Sequence, residues 1–161
     1  MPSSVFSLLD SRVQKLVRAR FSEPTEIQQL AIPAILEGRN VLAIAPTGFG
    51  KMEAAVLPIL TRLLEAIDAG EKNGIQVIYI TPLKALNRDM TERLEFWCHL
   101  LAIRLAVRHG DTTSSERAKQ RDSPPQFMVT TPETLQSMLI APKLEKSLEN
   151  VKWVVVDEVH E

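Results

Sequence analysis

One stretch constrains this chain more than any other: Ala45-Pro46-Thr47-Gly48-Phe49-Gly50-Lys51-Met52. It follows the apolar run Val41-Leu42-Ala43-Ile44 and precedes a helical pattern that begins near Glu53. A strand, a glycine-bearing turn and a helix whose first amides point at an anion are the context of a phosphate-binding loop. Gly48 and Gly50 let the backbone curl so that consecutive N–H groups face inward, with no Cβ in the way of phosphate oxygens. Lys51 adds a mobile positive charge for the β- and γ-phosphates. Taken alone, the stretch is also compatible with an ordinary strand-to-helix turn that leaves Lys51 in solvent. One position departs from the signature. The residue after the lysine is normally Ser or Thr, whose hydroxyl ligates Mg²⁺, and here it is Met52. A thioether is a poor ligand for a hard cation that prefers oxygen. The stretch therefore reads as a nucleotide cradle with one metal contact missing.

With 161 residues, 45% of them hydrophobic, the chain holds material for a single core. Its 19 basic residues balance 20 acidic ones, so no global basic field announces nucleic acid, and any such contact has to be local. Cys98 is the single cysteine, which excludes an internal disulfide and a cysteine-based zinc site and suits a small buried hydrophobe. The first residues lack a basic segment followed by a long apolar one. No run approaches the roughly eighteen apolar residues of a membrane span, so a soluble, cytoplasmic protein is expected.

Apolar spacing predicts a helix over residues 5–20, capped by Ser3 or Ser4, and a second from Thr25 to Gly38 that Pro33 kinks or divides. Residues 41–44 read as a core strand buried on both faces. A helix runs from the loop towards Ala69, interrupted at Pro58. Strands follow near residues 75–80, 104–107, 127–130 and 153–156, with helices over 83–101, 114–121 and 132–140 and a weakly helical piece over 143–150. Five alternations of strand and helix predict an α/β fold: an open, mostly parallel sheet with helices on both faces and ligands at the carboxyl ends of its strands.

Trp153-Val154-Val155-Val156-Asp157-Glu158 is an apolar strand, read as buried, that ends in two carboxylates. Asp157 can hold a magnesium-bound water, and Glu158 can orient or deprotonate an attacking water. A strand capped by two solvated acids is the plainer alternative. At this point the chain resembles the first motor domain of a superfamily-two helicase of the DEAD/DEAH-box kind, and most of all the large helicase-related (Lhr) group. Phe21-Ser-Glu-Pro24-Thr25-Glu-Ile-Gln28 is similar to the Q-motif and Ala45 to Met52 to motif I. Thr81-Pro82-Leu83-Lys84-Ala85-Leu86 is similar to motif Ia, and Arg108-His109-Gly110-Asp111-Thr112 to the next nucleic-acid segment. Thr131-Pro132-Glu133-Thr134-Leu135 is similar to motif Ib, and Asp157-Glu158-Val159-His160 to the DExH box, which Glu161 continues in the Lhr form.

The resemblance implies a P-loop, RecA-like domain, with Q-motif helices in residues 1–40 and a P-loop-to-DExH core in 41–161. It implies ATP and Mg²⁺ as cofactors. Phe21 and Thr25 would sit at the nucleotide with Gln28, whose amide would read adenine. Pro46, Thr47, Gly48, Phe49, Gly50, Lys51 and Met52 would cradle the phosphates. Asp157 would hold the metal, and Lys51, Asp157 and Glu158 would carry catalysis. Pro82, Lys84, Gly110, Asp111, Thr131, Pro132 and Glu133 would hold the backbone of a single-stranded or partly duplex DNA or RNA without reading its bases. His160 would relay to a second RecA-like domain, whereas His99, Phe96 and Trp97 read as packing residues. Thr131, Pro132 and Glu133 equally spell an ordinary helix start.

Two departures matter. Met52, with the bulk of Phe49 beside the phosphates, predicts slow or absent hydrolysis. The family's next strand, which inserts between the loop strand and the acid-bearing strand, and the second motor domain do not occur before Glu161. The fold is therefore expected to be incomplete at the C-terminus, with a gap at the centre of its sheet and either marginal stability or pairing with the missing material. The function implied is the ATP-binding motor domain of an ATP-dependent helicase. The alternative is a degenerate module that binds nucleotide or nucleic acid without turnover. A P-loop small-molecule kinase needs neither the Q-motif-like segment nor Thr131-Pro132-Glu133.

Overall fold

The computed structural model describes residues 4–71, 73–141 and 146–160. Packing divides the chain into two compact units, Met1–Glu71 and Lys72–Glu161.

The first unit is helical. A 3-10 turn, Val5–Leu8, precedes α1 (Ser11–Arg20), α2 (Glu26–Leu36) and α3 (Lys51–Asp68). The expected single helix over residues 5–20 is split at Asp10, because its carboxylate accepts the Arg12 amide at 2.9 Å and caps α1 instead of joining it. The Arg12 side chain also grips that carboxylate and holds it below its ordinary pKa. Ser4 caps the 3-10 turn, and Ser3 lies outside the described residues. Thr25 opens α2 with a capping box shared with Gln28. Neither Pro33 nor Pro58 divides its helix. A proline removes one intrahelical bond at a cost of about 3 kcal/mol. Ile32 beside Pro33, and Val56, Leu57 and Leu60 around Pro58, are fully buried where α2 packs along α3, and that burial outweighs the loss.

Residues 41–44 correct the sequence expectation. They form no strand, and Val41, Leu42 and Ile44 are 40%, 71% and 81% exposed. An extended apolar run becomes a strand only where a neighbouring backbone takes its N–H and C=O groups, and no described strand pairs with it.

The second unit is an open parallel sheet with helices. Its order is β1 (Val77–Ile80), α4 (Arg88–Leu100), β2 (Leu105–Arg108), α5 (Ser114–Asp122), β3 (Phe127–Thr130), α6 (Pro132–Ile140), a 3-10 turn Lys146–Leu148, and β4 (Trp153–Val156). The strands lie in the order β2-β3-β1-β4 and every pairing is parallel, so four alternations are formed where five were expected. Met138 of α6 closes one face over Ile75, Ile78 and Met128, with Leu135, Leu148 and Val151 at the margin. On the other face Val77, Tyr79, Phe127 and Val129 are buried.

Three further expectations change. The helix predicted from Leu83 starts at Arg88. The Pro82 carbonyl takes the amides of Ala85 and Leu86 in a separate turn, and Asn87 caps α4 by accepting the Met90 amide at 2.9 Å. β4 is not buried throughout: it has a partner on the β1 side only, and Val154 and Val156 are 54% and 53% exposed. The piece expected over residues 143–150 falls partly outside the described residues and shows one 3-10 turn where described. Among the described residues no helix is long and apolar enough to cross a membrane.

Amide exchange separates the two open segments. The Trp153 and Asp157 amides donate to Gln76 and Ile80 carbonyls at 3.2 and 2.8 Å, and should exchange about a hundredfold or more slower than those of Leu42 and Ile44. Equal protection would mean that residues 41–44 pair as a strand after all.

Candidate functional site

Gly50 is the N-cap of α3 in a left-handed conformation, φ +75°, and offers no side chain to the first helical amides. Those amides are left for an anion. Gly48 is also left-handed, φ +85°, and a Cβ there would meet nothing within 4 Å. The loop is thus open above Gly48, with Pro46, Thr47 and Phe49 exposed beside it. Gly50 differs, since a Cβ there would lie 2.4 Å from Gln28 Nε2.

The start of α2 clasps the loop from below. The Thr25 hydroxyl donates to the Phe49 carbonyl at 2.9 Å, and Gln28 Nε2 donates to the Gly50 carbonyl at 3.3 Å. Gln28 Oε1 in turn accepts the Thr25 amide at 3.1 Å. Gln28 is only 2% exposed, so both ends of the amide expected at adenine are engaged on backbone in this structure. Phe21 closes α1 as its C-cap, with its amide on the Val17 carbonyl. The Lys51 ammonium folds back across the loop to the Ala45 carbonyl at 2.7 Å. Met52 follows in the first turn of α3, half-buried.

The acidic pair belongs to the second unit. The Asp157 amide continues the ladder onto Ile80, which places its carboxylate at the carboxyl end of the sheet. Tyr79 donates its hydroxyl to Asp157 Oδ2 at 2.8 Å, and the Glu158 amide donates to Oδ1 at 3.0 Å, so both oxygens are oriented. Tyr79 is a residue that motif reasoning missed. The signal was available: it is the chain's single tyrosine, in an otherwise apolar strand, and a buried phenol needs a partner. Glu158 leaves the strand at φ +53°, a left-handed turn that costs a non-glycine residue about 1–2 kcal/mol. Its carboxylate lies 3.1 Å from His160 Nε2, an ion pair when the imidazole is protonated. Glu161 lies outside the described residues.

The remaining motif residues gather at one end of this sheet, because its strands are parallel and each motif follows a strand. Pro82 and exposed Lys84 follow β1, and exposed Gly110 and Asp111 follow β2. Buried Thr131 caps α6 by accepting the Thr134 amide, with Pro132 at the first helical position and Glu133 in the first turn. The loop after β2 is tied down internally. The His109 amide donates to Thr112 Oγ1 at 2.9 Å, and the Arg117 guanidinium spans the Thr112 and Gly110 carbonyls at 3.0 and 3.2 Å.

Among the described residues no cluster of three or more His, Cys, Asp or Glu could hold a metal ion. A cation at Asp157 would therefore be held largely by oxygens of phosphate and water, which suits Mg²⁺. Cys98 is buried, with its thiol pushed up to about 12 by burial and by Glu95, as a packing residue should be. Trp97 is buried beside it and stacks edge-on against Phe96. A cavity of about 950 Å³ lined by Cys98, His99, Leu105 and Gln120 contains none of the motif residues.

A family described as DEAD/DEAH box helicase matches residues 25–161. The ATP-dependent helicase Lhr-Core of Methanothermobacter thermautotrophicus is 42% identical over 97% of this chain and 20% of its own length. Its counterpart in Sulfolobus acidocaldarius is 42% identical over 98% of this chain and 19% of its own. The solved structure of Mycobacterium smegmatis helicase Lhr bound to ssDNA and AMP-PNP matches with a TM-score of 0.86 and 33% identity, over 98% of this chain and 21% of that one. The chain thus spans about a fifth of the length of the relatives it matches. On its motifs, its open parallel sheet and these likenesses, it belongs to the DEAD/DEAH box helicase family.

Proposed function

We propose that this chain is the ATP-binding part of an ATP-dependent helicase motor, acting with a second RecA-like domain on DNA or RNA in the cytoplasm. The observation that carries this is the clasp of Thr25 and Gln28 on the carbonyls of Phe49 and Gly50. Those bonds engage the loop's carbonyls, and the first amides of α3 have no side-chain cap, which leaves them for a phosphate. Residues 1–40 supply the clasp, and residues 41–161 run from the loop to the acidic pair.

Pro46 to Gly50 would enclose the phosphates, Lys51 would exchange its Ala45 carbonyl for a phosphate oxygen, and Phe21 would border the base. Mg²⁺, when bound, would neutralise charge on the β- and γ-phosphates. Asp157, held by Tyr79, would orient that ion's water shell, and Glu158 would hold the attacking water and take its proton. Pro82, Lys84, Gly110, Asp111, Thr131, Pro132 and Glu133 would hold one strand by its backbone. The M. smegmatis structure, which carries ssDNA and AMP-PNP, supports both ligand classes.

Met52 favours a second possibility, binding without turnover, since the helix start presents a thioether where a hydroxyl would meet the metal. Calorimetry with ATP in Mg²⁺ and in EDTA tests the metal contact, and phosphate release in Mg²⁺ tests turnover. Met52→Thr should tighten binding several-fold in Mg²⁺ and leave it unchanged in EDTA. No gain in Mg²⁺ would remove Met52 as the weak point. Strand binding is tested by fluorescence anisotropy with labelled oligo-dT and oligo-rU at low salt. Saturable binding indifferent to base sequence is expected, and its absence would contradict the nucleic-acid role.

A further inference from the structure

The sheet has two open edges. At β4 the family's next strand is expected, and at β2 the described residues offer no partner besides β3. A residue of a strand points its N–H and C=O to one side, and the next residue points them to the other. The Arg104 carbonyl accepts the Gln126 and Phe127 amides at 3.0 and 3.1 Å, so it faces β3. Leu105 and Val107 therefore face away, and the Val107 carbonyl indeed accepts Gln120 Nε2 from α5 at 3.0 Å. That leaves the Leu105 N–H and C=O and the Val107 N–H on a side where no described strand lies. An unpaired row of this kind is a template for another strand.

The cavity of about 950 Å³ runs beside that row. α4 crosses from β1 to β2 and α5 returns from β2 to β3, so right-handed crossovers put the two helices on opposite faces of the sheet. Cys98 and His99 of α4 line the hollow together with Lys119 and Gln120 of α5. So do Leu105 and Ala106, successive residues whose side chains leave opposite faces. Walls drawn from both faces of an edge strand meet along its open backbone. Protein interiors pack closely, so a space of this size is a site and not slack.

Gln120 shows what belongs there. A carbonyl only accepts, so Nε2 must face Val107 and Oε1 must face away from it. That oxygen is buried and has no hydrogen-bond partner. The side-chain amide thus stands where a peptide group of an added strand would, with its oxygen still open. An extended peptide supplies donors and acceptors at that spacing, and side chains to both walls. The wall on the α4 side is apolar, with Cys98 and Ile103 buried, whereas the α5 side carries exposed Lys119 and Asp122. We propose that the β2 edge is a docking slot for an extended segment of a partner protein, alternating apolar and polar residues, that adds as a further strand. A second copy's β2 is recessed between its own α4 and α5 in the same way and cannot reach in.

The slot contains no motif residue, so its test is independent of nucleotide and nucleic-acid binding. The probe is a capped Thr-Val-Thr-Val-Thr peptide, added to the full chain and followed by amide exchange and by anisotropy of a labelled form. Its twin, N-methylated throughout, keeps the side chains and loses the donors. The probe should bind with about millimolar affinity or tighter. At about five times its dissociation constant it should slow exchange at Leu105 and Val107 about sixfold, and the twin should not. Val107→Pro removes one outward N–H, a change that edge strands tolerate, and should weaken the probe about tenfold. Gln120→Ala uncovers the Val107 carbonyl without touching the backbone and should tighten the probe several-fold. No slowing at Leu105 and Val107 with millimolar probe, or unchanged affinity in Gln120→Ala, would overturn the slot. Sedimentation showing self-association of the chain that Val107→Pro abolishes would overturn the partner assignment and give the slot to a second copy.

Discussion

Alanine at Gly50 should cost the chain about 2–4 kcal/mol, measured by urea unfolding, and should abolish nucleotide binding. The left-handed backbone at φ +75° alone costs a residue with a Cβ about 1–2 kcal/mol. The new Cβ would also stand 2.4 Å from Gln28 Nε2, so the buried glutamine has to leave. Its bonds to the Gly50 carbonyl and the Thr25 amide go with it, each worth about 1 kcal/mol net. Gly48→Ala is the control. It has the same strained backbone, φ +85°, with nothing within 4 Å of the new Cβ, and should cost the backbone contribution alone. Equal losses at the two glycines would show that the clasp contributes nothing.

Lys51→Ala should leave the fold almost untouched and remove most of the nucleotide affinity. In the free chain the ammonium makes one bond, to the Ala45 carbonyl, from a partly exposed position, so its removal should cost less than about 1 kcal/mol. Against a phosphate the same group makes charge-assisted bonds of about 1.5–3 kcal/mol each, a loss of roughly ten- to a hundredfold in affinity. The two substitutions are therefore expected to fail in different ways. Gly50→Ala unseats the loop, and Lys51→Ala leaves it seated and uncharged.

Local chemistry was legible in the sequence wherever a residue's own neighbours decide its conformation. Thr25 with Gln28, and Thr131 with Pro132, cap helices as their spacing predicts, because a cap is made within four residues. The alternation of strands with crossover helices dictated a parallel sheet. What depends on distant partners was not legible. The apolar run at 41–44 has the composition of a buried strand, and composition carries no record of whether a neighbouring strand is there to pair with it. β4 looked buried for the same reason, and edge placement leaves Val154 and Val156 in solvent. Asn87 took the start of α4 from Leu83 through one side-chain bond that no periodicity reveals. The Tyr79–Asp157 bond joins residues 78 positions apart. It emerges only when the strands are laid side by side.

Binding of a nucleoside triphosphate by the clasped loop is tested most directly by titration calorimetry of ATP with Mg²⁺ into this chain. Saturable binding at a single site, lost in Lys51→Ala while that variant unfolds at the same urea concentration as the parent, is the predicted result. No heat of binding in the parent chain, or equal affinity in Lys51→Ala, would contradict it.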